Sequence, residues 1–96
     1  MLRQVVAFSL REIEKETALE SNLNKISQNP ILRELVELGD TVVPFLLEDL
    51  RHGSSWVTVI ALEEITGENP IYEEDRGNLE AIRERWLDWG QARELL

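Results

Sequence analysis

The chain has 96 residues, 43% of them hydrophobic, with ten Lys and Arg against 19 Asp and Glu, a net charge of −9 and no cysteine. That length suits one domain with one modest core, and the hydrophobic content excludes disorder by composition. The lack of cysteine excludes disulfides, thiolate metal sites and a cysteine nucleophile, while the acidic balance disfavours direct contact with nucleic-acid phosphates or anionic membranes.

No apolar run approaches the roughly 20 residues that span a bilayer. The stretch from Met1 to Phe8 reaches the charged Arg11-Glu12 too soon for a secretory signal. A cytoplasmic location is the expectation. Apolar and polar residues never alternate for long, whereas helical spacing recurs throughout. The reading is an all-α fold of about five helices, one domain over residues 1–96.

The first helix is predicted to start near Leu2, with Leu2, Val5, Val6, Ser9 and Ile13 on one face and Glu12, Glu14, Lys15 and Glu16 on the other. It weakens between Glu16 and Asn24, where Thr17, Ser21, Asn22 and Asn24 are poor helix interiors. Leu19, Leu23 and Ile26 then anchor a short helical piece or a packed loop. Asn29-Pro30 is a start signal, with Asn as N-cap and Pro at the first helical position. The helix that follows is expected to bury Ile31, Leu32, Leu35, Val36 and Leu38 and to end at Gly39. Asp40 caps the next, from Thr41 to about His52, where Pro44 is tolerated in the first turn. Val42, Val43, Phe45, Leu46, Leu47 and Leu50 give it a broad apolar face.

His52-Gly53-Ser54-Ser55 is read as a turn, one of its serines capping the helix from Trp56 to Thr66. Apolar residues point nearly all round that helix, so it should be covered on more than one side and form the centre of the domain. Gly67 closes it. The segment from Glu68 to Gly77 is expected to be an ordered loop pinned by Ile71 and Tyr72. The last helix starts near Asn78, with Leu79, Ile82, Trp86 and Trp89 as a narrow seam. Gly90 ends or kinks it, and the tail to Leu96 frays in part.

Val43-Pro44-Phe45-Leu46-Leu47-Glu48-Asp49-Leu50, followed by Trp56 to Ile65, resembles a HEAT repeat. In that family a Pro precedes a Leu-rich face in the first helix, and the second helix has an Ala-Leu pair on its inner face. Pro44, Leu46, Leu47, Ala61 and Leu62 stand at those positions, while Thr58 stands about where the family has an Arg. Over most of the chain, Asn29-Pro30, Leu38-Gly39-Asp40, Arg76-Gly77-Asn78, Trp86 with Trp89-Gly90, and above all Ile65-Thr66-Gly67-Glu68-Asn69-Pro70, resemble a family of short bacterial HEAT-like proteins. The resemblance implies a helical scaffold, a prokaryotic setting and a binding role through helix faces. It implies no catalytic residue.

Several side chains carry candidate chemistry. Glu48 and His52 lie four residues apart on one helix, as a base and its orienter or as two metal ligands. The competing reading is a solvated His favoured by the helix dipole. Glu63 and Glu64 near the end of the central helix offer a partly buried carboxylate, or emerge at the core's edge and pair with Arg83 or Arg85. Glu73-Glu74-Asp75 does not match a calcium-loop spacing and reads as a solvated run before a helix. Trp86 and Trp89 seal the core or form a partner groove. No phosphate-binding loop, nucleophile elbow or paired metal motif is present.

The leading functional expectation is a non-catalytic, acidic protein-binding module with no cofactor or metal, antitoxin-like or inhibitory toward a basic protein. The contact residues it names are Glu68, Glu73, Glu74 and Asp75, because the segment from Glu63 to Asp75 holds six acids and no base. The alternatives are an inhibitor that mimics nucleic acid, a self-associating module whose Trp seam a second copy completes, and a small enzyme or metal protein using Glu48, His52, Glu63 or Glu64.

Overall fold

The computed structural model describes residues 2–20, 22–53 and 55–96, so the expectations placed on Ser21 and Ser54 lie outside the described residues. Among those described there are six α-helices and no strand: α1 (Leu2–Glu16), α2 (Leu23–Ser27), α3 (Pro30–Glu37), α4 (Val43–His52), α5 (Trp56–Thr66) and α6 (Leu79–Ala92). The chain is all-α. Among the described residues no helix is long and apolar enough to cross a membrane.

α5 is central for the reason its composition dictates. Val57, Thr58, Val59, Ile60, Ala61 and Leu62 are all buried, because α5 contacts α1, α2, α3, α4 and α6. Covering a helix on every side leaves no place for a polar face. The one polar member of the run, Thr58, donates its hydroxyl to Asp49 Oδ2 on α4 at 2.9 Å, which satisfies it inside the core. Gly67 ends α5 in the left-handed conformation, φ 71°, and its N–H donates to Glu63 O at 2.9 Å.

The local start signals operate as expected at two helices. Asn29 Oδ1 accepts from the N–H groups of Ile31 and Leu32 at 2.9 and 3.2 Å, and its amide donates to Glu16 Oε1 at 2.9 Å. One side chain thereby caps α3 and ties it to the end of α1. Asn78 Oδ1 accepts from Ala81 N–H and caps α6.

Elsewhere packing overrides the local reading. Asp40 does not cap α4: it lies inside a 3₁₀ turn, Gly39–Val42, and α4 begins at Val43 without a side-chain cap. This tighter turn links α3 to α4 while Val42 stays fully buried. Ser55 holds the N-cap position of α5 but makes no cap bond. Its hydroxyl donates instead to Glu14 Oε2 of α1. In α1 the buried residues are Val6, Leu10 and Ile13. Val5 faces out at 46% exposure and Phe8 at 67%. Of the three anchors expected before α3 only Ile26 is buried; Leu19 and Leu23 are exposed, as is Leu38.

At the C-terminus α6 runs through Gly90 to Ala92. A Cβ on Gly90 would meet Leu47 Cδ1 at 2.7 Å, so the glycine leaves room for the Leu47 side chain of α4 against α6. The tail beyond it is tied down. Leu95 N–H donates to Gly90 O and Glu94 N–H to Gln91 O, with Glu94 left-handed at φ 59°. That is a Schellman closure with a glutamate where glycine is usual, and Leu95 packs against the core.

Candidate functional site

The acidic residues expected to form one contact surface do not share one place. Asp75 is buried, 5% exposed, and is spent on the fold. Its Oδ2 accepts from Tyr72 N–H at 2.9 Å and from Arg85 Nε at 3.0 Å. Those two donors hold its carboxyl below the usual carboxylate range, the backbone N–H foremost. The same hydrogen bond raises the affinity of Arg85 for its proton, and the guanidinium also stacks on the Tyr72 ring at 4.2 Å. Tyr72 thus pins the loop as expected, from a largely exposed position. Glu73 and Glu74 beside it are exposed, Glu73 lying 3.9 Å from Arg76.

Glu68 belongs to a different neighbourhood, near Arg93 at 3.9 Å. Arg85 on α6 and Arg93 at its C-cap are eight residues apart, about 12 Å along the helix axis, so Glu68 and Asp75 are held by cations at different heights along α6. Neither Arg83 nor Arg85 reaches Glu63 or Glu64. Arg83 donates to the carbonyls of Leu50 and Arg51, satisfying the open end of α4, and Glu64 pairs with Arg33 at 3.0 Å. Glu63 is half-buried, and desolvation, with the neighbouring Glu64 charge second, raises its carboxyl above the ordinary value.

Of the residues considered for chemistry, Glu48 and His52 share a small groove of ≈ 160 Å³ between α1 and α4, lined in part also by Arg3, Phe45 and Asp49, whereas Glu63 and Glu64 are not among its lining residues. Glu48 is engaged by Arg3 at 2.9 Å, and Asp49 by Thr58. His52 is exposed at the end of α4. No group of three or more His, Cys, Asp or Glu is placed to hold a metal ion among the described residues.

The larger concavity is an open groove of ≈ 620 Å³, within the usual range of small-ligand clefts, about 300–1,000 Å³. Asp40 edges it from the turn before α4 and Val43 from the first residue of α4, Ile65 from the end of α5 and Glu68 just beyond it, and Trp89 and Arg93 from the last turn and C-cap of α6. Trp86 is fully buried and packs edge-on against Trp89, ring centroids 5.1 Å apart, so it seals the core. Trp89 is half-buried, with the Arg93 guanidinium over its ring at 4.2 Å. Its indole nitrogen is buried without a hydrogen-bond partner among the described residues.

Asp40, Trp89 and Arg93 escaped the sequence reading as members of one site. The i, i+4 spacing of Trp89 and Arg93 on a helix was an available signal. Asp40 carried none, since its role depends on the 3₁₀ turn. Charge segregation is a second signal: residues 34–75 hold eleven carboxylates and one cation, Arg51, while the rest of the chain has eight against nine. Comparison with protein-family models, curated proteins and solved structures gives no match for this chain.

Proposed function

We propose that the chain is a non-catalytic acidic module that binds a basic protein, in the manner of an antitoxin or a small inhibitor. The observation that carries this reading is the confinement of the whole charge excess to residues 34–75, part of which, Asp40 and Glu68, borders the larger groove. An acidic excess beside a concavity speeds encounter with an opposite charge. Kinship with HEAT-like scaffolds is part of the same proposal. It is supported by the packing of α4 on α5, by Pro44 in the first turn of α4 and by the complete burial of Ala61 and Leu62.

The test is affinity capture from the host with wild type and with a Glu68→Gln/Glu73→Gln/Glu74→Gln variant, leaving Asp75 intact because the fold uses it. A basic protein retained by wild type at about 0.05 M salt, released by about 0.3 M as screening shortens, and lost by the variant is the expected result. Retention by both proteins alike, or of nothing basic, sinks the proposal.

A further inference from the structure

Resting on that reading, we infer that the larger groove is a seat for an arginine side chain of the basic partner, and that Arg93 occupies the seat as an internal stand-in until the partner displaces it. Arg93 shows what the seat accepts. Its guanidinium lies over the Trp89 ring at 4.2 Å and its Nη2 is 3.9 Å from Glu68 Oε1. An aromatic face with a carboxylate beside it is the arrangement that suits a planar, weakly hydrated cation. Asp40 also lines the groove, bringing a second acidic residue to it, and makes no ion pair among the described residues. The site therefore offers two negative charges and holds one positive charge.

Arg93 is loosely seated. Its side chain is 47% exposed, and its only hydrogen bond among the described residues runs to Trp89 O at 3.5 Å, the outer limit of such a bond. It sits at the C-cap of α6, where the Schellman closure fixes the backbone and leaves the side chain free to swing away. An incoming arginine presented by a folded partner can stack on Trp89 and pair with both Asp40 and Glu68. Lysine would pair with the carboxylates but stack less well, because its ammonium is a compact and strongly hydrated charge. The seat thus adds a preference for arginine to the general attraction for base.

The test titrates the 96-residue protein with hexa-arginine amide and hexa-lysine amide at one salt concentration, following heat of binding and the Trp89 indole N–H resonance. Wild type should prefer hexa-arginine, with the Trp89 resonance moving. The Arg93→Ala variant, whose exposed side chain is expendable to the fold, should bind hexa-arginine roughly five-fold more tightly, the weight of one exposed cation–π contact. Asp40→Asn should weaken hexa-arginine in both backgrounds. Unchanged or weaker binding by Arg93→Ala overturns the seat. If wild type then binds both peptides equally, the basic-partner reading stands without the seat. Failure of wild type to bind either peptide removes both.

Discussion

Two carboxylates show how position decides what an acidic residue does for this chain. Asp75 is buried and receives two donors, so its folded affinity for a proton lies below that of the unfolded chain. Its contribution is present above the ordinary aspartate value of about 3.9 and is lost as pH falls through the lower folded value. Glu63 is desolvated beside Glu64, and its folded value is raised. Its sign is opposite: stability is greatest where it is protonated, below about 4.3, and declines as pH rises through the folded value. Asp75→Asn should therefore lower stability at neutral pH and flatten the acid limb of a urea-midpoint profile against pH. Glu63→Gln should raise the midpoint at neutral pH and leave it unchanged in acid. Two variants shifting the same way at neutral pH would contradict this assignment. The stretch from Glu63 to Asp75 holds six acids and no base, which is enough to find the charge. It does not show that Asp75 turns inward, because that depends on Arg85 arriving from α6, ten residues later in the chain.

At the scale of elements, helices were legible where one face had no rival. α5 was readable in full, from its boundaries to its central place, since no alternative face exists on a helix that is apolar all round. α1 was not. Val5 and Phe8 compete with Val6 and Leu10 on periodicity alone, and the packing of α1 against α3, α4 and α5 selects the second set. The end of α6 misled for a similar reason, because Gly90 reads as a stop until α4 is known to lie against it. This contact makes a prediction against helix propensity. Alanine at position 90 gains about 1 kcal/mol as a helix former, but its Cβ would stand 2.7 Å from a fully buried Leu47. Overpacking a close contact costs about 1–3 kcal/mol, so Gly90→Ala should be destabilising by about 1 kcal/mol. Four residues on, Glu94→Gly should stabilise by about the same amount. It relieves a left-handed glutamate at φ 59° and removes a negative charge from a helix C-terminus. In a domain of this size each change corresponds to about 4–8 °C in Tm, in opposite directions. A Gly90→Ala protein as stable as wild type would show that Leu47 has room to move.

For the molecule as a whole, the decisive quantity is the distance over which its charges feel one another. The longest dimension is 31 Å, and the screening length is about 30 Å at 0.01 M salt but about 10 Å at 0.1 M. At low salt every carboxylate in the acidic stretch therefore repels every other, and at moderate salt only neighbours do. The ion pairs offset little of this. Four of the eight among the described residues are no closer than 3.9 Å, and exposed pairs of that kind contribute close to nothing. Two carboxylates 10 Å apart in water repel by about 0.4 kcal/mol, so a few unpaired ones amount to roughly 1 kcal/mol of strain that salt can relieve. Thermal unfolding followed by circular dichroism should give a Tm that rises by several degrees, about 4–8 °C on the same scale, between about 0.01 and 0.2 M NaCl. A Tm that falls with salt would mean that the bridges to Arg3, Arg33 and Arg85 outweigh the repulsion. The acidic stretch would then be a neutralised part of the fold, and a basic partner would have little charge left to meet.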